Sequence, residues 1–493
     1  MRIHRRQFVI GSQQILPNKN WQASRLTDEI WLSYCQDLEV SQSTDSSDRQ
    51  WHILGFAVET FSQKSSPELE IPKTETERVP QLSQTWTGRW ILIGNQKLYL
   101  DASGLLGCFY GRDSEGKIWA SSSPALLAQI IFSDRPPAVD SRQLGYENGI
   151  SWYVPPRSRF IGISRLLPSQ SIDLGSGDIQ SHPLMPDILP DRDYLETIAE
   201  IQQIFITTLQ RLARLTPDLW LGLTAGYDSR SILALSYAAD IPVRPFTRIA
   251  ARTSVADLAL PPQLSRECNY DHIFIRSPQR YPERRKLAEE HTAAHVSAGD
   301  AEPFVKGVRD CLKGISIGGH GYGVAKNFAG LSALPEDLEN AELGASAIAQ
   351  MFQAPSSSAT AGLKEWLDWI LSHPQPNLNW RGRFYLEQRH AGWQSSKEQL
   401  YDLNDLCRFP ILNSAYLYSL FLSIKPEQRL DSQIQQDLIN NTAPQLNSYP
   451  FNPQDSYFSP SQIVTYKGKH LPEYLFGNFA KRVRWKLNSL MLK

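Results

Sequence analysis

The hydrophobic and polar positions fall into two textures. In the first third of the chain, short apolar runs are separated by polar turns: "WHILGFAVET", "RWILIGNQKLYLD", "CFYGRD", "KIWASS" and "QSIDLGSGDIQSHPL". Runs this short, bounded by "DSEGK" after Arg112 and "GSGD" at Gly175–Asp178, predict strands joined by tight turns. Residues 1 to about 187 therefore read as β-rich, with a short helix near Pro124–Ile131. Two polar stretches, Glu39–Gln50 and Gln63–Pro80, read as solvated loops.

The texture changes after Pro186 and Pro190. Asp191 or Asp193 is placed to cap a helix on which Tyr194, Leu195, Ile198, Ile201, Phe205, Leu209 and Leu212 recur at helical spacing. A boundary near 188–192 divides the chain into regions 1–190 and 191–493. Beyond it strand-like and helical runs alternate, the pattern of a parallel α/β sheet. Ala354–Ala361 reads as a low-complexity loop, and the pattern after it is mostly helical, as in "LKEWLDWILSH" and "RFYLEQRHAGW".

Composition narrows the class. With 493 residues, 41% hydrophobic and 20% charged, the chain reads as a soluble protein of two or three domains. A net charge of −1 gives no reason to expect nucleic acid as a partner. The cysteines, 35, 108, 268, 311 and 407, form no CxxC pair and predict neither a disulfide framework nor a zinc ribbon. Cys35 sits in a helix-like run, and Cys35 and Cys108 read as core residues. The apolar run "FVIG" near the N-terminus is too short for a signal peptide, and no window is apolar enough for a membrane span. The expected location is the cytoplasm.

The chemistry is concentrated in "WLGLTAGYDSRSILAL", Trp220–Leu235. Asp218–Thr224 reads as a buried strand and Asp228–Ala239 as a helix packed closely on a sheet, with a small-residue loop between them. Such a loop aims free backbone N–H groups and a helix N-terminus at an anion. Ala225 and Gly226 let phosphate approach, and Thr224 and Ser229 add hydroxyls. Asp228 beside phosphate is repulsive unless a cation bridges them, which points to Mg²⁺. Neither GxxxxGK[ST] nor GxGxxG is present.

The loop resembles the SGGxDS pyrophosphatase loop of the ATP-pyrophosphatase superfamily, standing here as Thr224–Ser229, and Arg230 after it resembles the asparagine-synthetase-like variant. "TGRWILIGNQKLYLDASGLLGCFYGRDSEGKIWASSSPALLAQI" is similar to the class II glutamine amidotransferase domain that precedes the synthetase domain in that family, with its Asp-x-x-Gly turn at Asp101–Gly104. "RFPILNSAYLYSLFLSIKPEQR" resembles a helical segment of the synthetase domain, with Arg408, Phe409, Pro410 and Arg429 in place. The resemblance covers roughly 90–440. It implies an N-terminal Ntn-type αββα-like sandwich followed by a HUP-like (adenine nucleotide alpha hydrolase-like) parallel-sheet domain. It also implies an ATP- and Mg²⁺-dependent ligase, with a homodimer as an expected assembly, that adenylates a small-molecule or peptide carboxylate, releases pyrophosphate and lets an amine or ammonia displace AMP. The alternative is a catalytically degenerate homologue that acts as a nucleotide-binding or assembly protein in a biosynthetic pathway.

The residues implied to contact ATP are Leu223, Thr224, Ala225, Gly226, Asp228, Ser229, Arg230 and Gly319, with Asp228 and Asp257 toward the metal. Asp257 reads equally as a plain helix cap. "GISIGGHGYGVAKNF" resembles the family's "SGEGxDE" segment, but His320 replaces its Glu and Gly323 its Asp. His320 reads either as a base near neutral pH or as a loop residue bonded to backbone. Lys326 reads as a phosphate contact or as solvated, and Lys467 and Lys469 are candidates for a late lysine. The glutaminase of that family uses an N-terminal cysteine; Arg2 stands second here and no cysteine precedes Cys35, so the expectation is a retained fold without glutamine hydrolysis.

Three further features are read as structural: His291 and His295 in "EEHTAAH", which lack HExxH order; Glu387 and Arg389 on a helix; and the basic tail from Leu475.

Overall fold

The computed structural model describes residues 2–470 apart from 46–47, 63, 67, 70–78, 135, 141–143, 147–149, 251–252, 277–279, 327, 337, 339 and 353–356. The tail from Leu475 and the first residues of the expected loop at Ala354–Ala361 fall outside these; from Ser357 the chain is already helical, to Ser372.

Alternation in the N-terminal half produces two six-stranded antiparallel sheets. One runs in the order Ser164–Arg165, Phe109–Arg112, Ile118–Ser121, Phe8–Gly11, Trp31–Cys35, Trp21–Arg25. The other runs Ile179–Ser181, Gln170–Asp173, Lys97–Leu100, Trp86–Gly94, Gln50–Glu59, Val40–Thr44. Phe8 and Leu32 from the first share a core with Leu54, Ile91 and Leu98 from the second, all 0% exposed. Burial of this kind is worth about 1.5–3 kcal/mol per large apolar side chain. The predicted turns at "DSEGK" and "GSGD" join paired strands, and the predicted helix is Pro124–Ile131, capped by Ser123. Two expectations are corrected. Val40–Thr44, inside the expected loop Glu39–Gln50, is an edge strand paired with Gln50–Leu54, because cross-strand hydrogen bonds override a polar composition. Cys35 ends a strand rather than a helix, paired with Trp21.

The C-terminal half opens with the helix Tyr194–Leu215, capped by Asp193. Its predicted apolar face is buried except at Leu195, which is 75% exposed, and the half-buried Tyr194. A five-stranded parallel sheet follows, in the order Ile273–Ile275, Arg244–Arg248, Leu219–Gly222, Gly314–Ile317, Leu406–Arg408. In chain order these strands stand 3-2-1-4-5. Successive strands step one way from the first strand and then the other way, so the connections leaving strands one and four diverge and a crevice opens beyond their C-terminal ends. Among the described residues no helix is long and apolar enough to cross a membrane.

The halves are bolted together by polar contacts. Arg89 makes a bidentate ion pair with Asp402 at 2.7 and 2.8 Å. Thr87 Oγ1 donates to the Ile411 carbonyl at 3.0 Å, and Asn413 donates to the Gly88 carbonyl at 2.6 Å and to Asp101 at 2.7 Å. The segment "RFPILN" is thereby held against the N-terminal sheet.

Candidate functional site

Strand Leu219–Gly222 is apolar throughout because both faces of a central parallel strand are covered. It ends in the loop 223–226, and the helix Tyr227–Ala238 begins at once, with Gly226 as its cap. Strand Gly314–Ile317, its neighbour, ends in Gly318–Gly319–His320. The two loops lie back to back at the crevice: a Cβ on Gly319 would stand 2.5 Å from the backbone of Asp228, so only glycine allows this approach. A cavity of about 230 Å³ opens here, bordered by Thr224, Asp228, Ser229, Gly319 and His320, and also by Arg309, His390, Glu398 and Arg408.

Each predicted residue has a definite place. Thr224 and Ser229 hydroxyls are 2.9 Å apart, and Ser229 accepts from the Thr224 N–H at 3.0 Å. The Gly226 N–H reaches Thr224 Oγ1 at 3.3 Å. Ala225 N–H donates to Asp257 at 2.8 Å, while Ser254 caps Asp257's own N–H. Asp257 thus closes the loop from the next helix. Asp228 faces the cavity, and its Oδ1 accepts from Lys326 Nζ at 2.5 Å and Gln435 at 2.8 Å.

Four of the expected nucleotide contacts, Leu223, Ala225, Gly226 and Arg230, do not border the cavity. Arg230 is fully buried and donates to the carbonyls of Ala225, Leu446, Tyr449 and Pro450, with its guanidinium 3.9 Å from the Phe451 ring centre. It is a strut for the loop and does not face the cavity. Leu223 is buried, and its N–H and carbonyl bond Phe246 and Thr247 of the adjacent strand.

The two carboxylates expected at the metal both already meet protein donors. Mg²⁺ takes oxygen ligands in near-octahedral order; one oxygen of Asp257 accepts a backbone N–H, and one oxygen of Asp228 accepts from an ammonium and an amide. Among the described residues no cluster of three or more His, Cys, Asp or Glu is placed to hold a metal.

His320 borders the cavity, and its surface remains solvent-exposed there. Desolvation among the surrounding protein atoms lowers its pKa well below the ordinary imidazole value, and Arg408, Lys397, Arg309 and His390 push the same way. His320 is therefore neutral at pH 7 and a weaker base than an ordinary imidazole. His390 lies 3.2 Å from Ser103 Oγ and is lowered to about 3 by burial and then by Arg389.

Residues 309, 394, 398 and 390 were not singled out by sequence reasoning as site residues. Arg309 packs over Phe246 and Tyr401 and has no carboxylate ion pair among the described residues. Glu398 is 2% exposed; its Oε1 meets Gln394 and, at 3.2 Å, Arg408, while Oε2 has no hydrogen-bond partner. Burial raises the Tyr401 phenol, but Lys397, Arg309, Arg408 and Arg248 outweigh it and the net direction is down. The wall that carries Arg309 and Arg408 is accordingly positive and suits an anion. Arg408 was legible through "RFPIL"; the others sit in ordinary helical or loop text that carries no local signal.

His291, His295 and Glu387, read as structural, behave so. His291 accepts the His4 N–H and bonds the Gln399 carbonyl, and His295 accepts the Arg159 N–H. Glu387, 0% exposed, bonds Ser169, Trp366 and Arg383. Lys467 is paired with Asp455 at 2.7 Å. No protein-family model matches the chain, and no curated protein matches it.

Proposed function

We propose that this chain is an ATP-dependent, amide-forming ligase of the asparagine-synthetase-like kind, with an Ntn-type first half and a HUP-like second half. The observation that carries the reading is positional. The loop Thr224–Ser229 and the glycine loop Gly318–His320 meet over one cavity at the point where the strand order reverses. Open α/β sheets bind ligands there. The helix from Tyr227 adds its N-terminal N–H groups and dipole.

In this reading the triphosphate lies along the loop, and the acid substrate extends toward Arg309 and Arg408. A carboxylate oxygen attacks the α-phosphorus; the bond from that phosphorus to the bridging oxygen breaks, and pyrophosphate leaves against Thr224, Ser229 and the helix N-terminus. An amine then attacks the acyl carbon, AMP departs with the acyl oxygen, and the amine proton passes to a base. Neutral His320, in the cavity wall, is the candidate. Most of the rate comes from charge positioned ahead of the reaction.

The first half supplies no thiolate for glutamine hydrolysis. Burial pushes the Cys108 thiol up to about 12, and Cys35 is buried. The amine is therefore free ammonia or part of a substrate. A second reading, a nucleotide-binding protein without adenylation, draws on the same site: Asp228 is already neutralised by Lys326. ATP–pyrophosphate exchange separates the two. Wild-type protein is expected to exchange labelled pyrophosphate with a suitable carboxylic acid present, and Asp228→Ala to lose it. Nucleotide binding without exchange for any acid supports the second reading; no nucleotide binding removes both.

A further inference from the structure

We infer that Lys326 is the positive charge this loop presents to a phosphate chain, standing at Asp228 where a divalent cation would otherwise bridge carboxylate and phosphate. The inference rests on the nucleotide reading above.

The electrostatic problem is set by Asp228. A carboxylate at the mouth of an anion cradle repels phosphate unless a cation lies between them. The cation already in place is an ammonium. Lys326 Nζ stands 2.5 Å from Asp228 Oδ1, and the two side chains remain 32% and 43% exposed, with Asp228 bordering the cavity. An ammonium carries three N–H donors. Asp228 takes one, so two are available to phosphate oxygens without breaking the pair. Gln435 holds the same carboxylate oxygen at 2.8 Å and fixes its rotamer. The order carboxylate, cation, phosphate is then complete without a metal.

The backbone holds Lys326 in this position. Tyr322, fully buried, bonds Ser231 of the loop's own helix at 2.9 Å. Gly319 packs against the Asp228 backbone, and the Lys326 N–H closes the short 3₁₀ turn onto the Gly323 carbonyl at 3.3 Å. The same turn bars an acidic residue from the position that would serve a metal. A Cβ on Gly323 would lie 2.3 Å from the Tyr385 ring, itself 9% exposed, so no carboxylate enters there without repacking the core. Asp257, the acid at the start of the next helix, has one oxygen on the Ala225 N–H.

The test is calorimetric binding of a non-hydrolysable ATP analogue, and of inorganic pyrophosphate, to the full chain in EDTA and in excess Mg²⁺. Wild-type protein is expected to bind in EDTA within about threefold of its affinity in Mg²⁺. Lys326→Met is expected to lose about tenfold or more in EDTA, equivalent to about 1.4 kcal/mol, and to regain part of it in Mg²⁺, since Asp228 is then free to hold metal. Lys326→Arg restores binding in EDTA. Because the pair is solvent-facing, the melting temperature of each variant should match wild type, so a loss of binding is not a loss of fold. Wild-type binding that vanishes in EDTA but is present in Mg²⁺ overturns the inference and leaves the nucleotide reading intact. Unchanged binding of Lys326→Met in EDTA does the same. If neither analogue nor pyrophosphate binds under any condition, both fall together.

Discussion

Asp101 and Asp228 each sit in a small-residue turn, one in each half of the chain, and their surroundings make them opposites. Asp101 is 0% exposed and accepts from the N–H groups of Trp90, Ser103, Leu105 and Leu106 and from the Asn413 amide. Asp228 faces a cavity and is met by two side chains, Lys326 and Gln435. A carboxylate whose lone pairs are taken by backbone donors fixes a fold, since no ligand competes with groups that cannot move away. One held by long, solvent-facing side chains exchanges partners at little cost. Burial and partner type, rather than the turn's sequence, separate a clamp from a binding site.

Four measurements bear on that contrast. The largest effect is expected from Asp101→Ala, which strands buried donors in both halves and should lower unfolding free energy by about 4 kcal/mol. Chemical denaturation would show it, and a loss under about 1 kcal/mol would mean the turn is not a clamp. Arg230→Ala comes next. Four carbonyls lose their donor, and about 3 kcal/mol should go, with binding lost only as a consequence of loop disorder. If nucleotide affinity drops while stability is untouched, Arg230 is a ligand contact after all.

The third concerns pH. Burial lowers His291, His295 and His390 to about 3 each. Between that value and the ordinary 6.5 the unfolded chain binds protons the folded chain refuses. Their contribution is therefore complete above about pH 6.5 and is lost as pH falls. Melting temperature should decline steadily below pH 6.5, and His291→Gln, which keeps hydrogen-bonding capacity without a titrating ring, should flatten the decline. A profile unchanged by that substitution would contradict the assignment. The smallest stability effect belongs to Asp228→Asn, about 0.5 kcal/mol or less for an exposed pair, accompanied by loss of pyrophosphate exchange. A large stability loss would place Asp228 with Asp101 as a structural residue.

Much of the secondary structure was legible. The helix at Pro124–Ile131, the Asp193-capped helix and the strand–loop–helix at Leu219–Ala238 follow from periodicity and capping that neighbouring residues control. The strand Val40–Thr44 was not, because its polar residues are recruited by pairing to Gln50–Leu54 and carry little strand preference of their own. Of the site, Thr224, Asp228, Ser229, Gly319 and His320 line one cavity, and Asp257 touches the loop from the next helix. Arg230 followed the loop's pattern but turned inward, since a helix directs successive side chains to different faces.

The sequence by itself determined where the chain switches from alternating to helical periodicity, and which loop has the small residues and hydroxyls an anion cradle needs. Those are local properties, set by steric and hydrogen-bonding preferences within a few residues. Only the tertiary structure decided that Asp228 meets Lys326 across 98 residues of chain, that Arg309 and Glu398 share its cavity, and that Asp101 is sealed by Asn413. Partnership and burial depend on how the strands are ordered and the halves docked, and no local stretch of sequence encodes either.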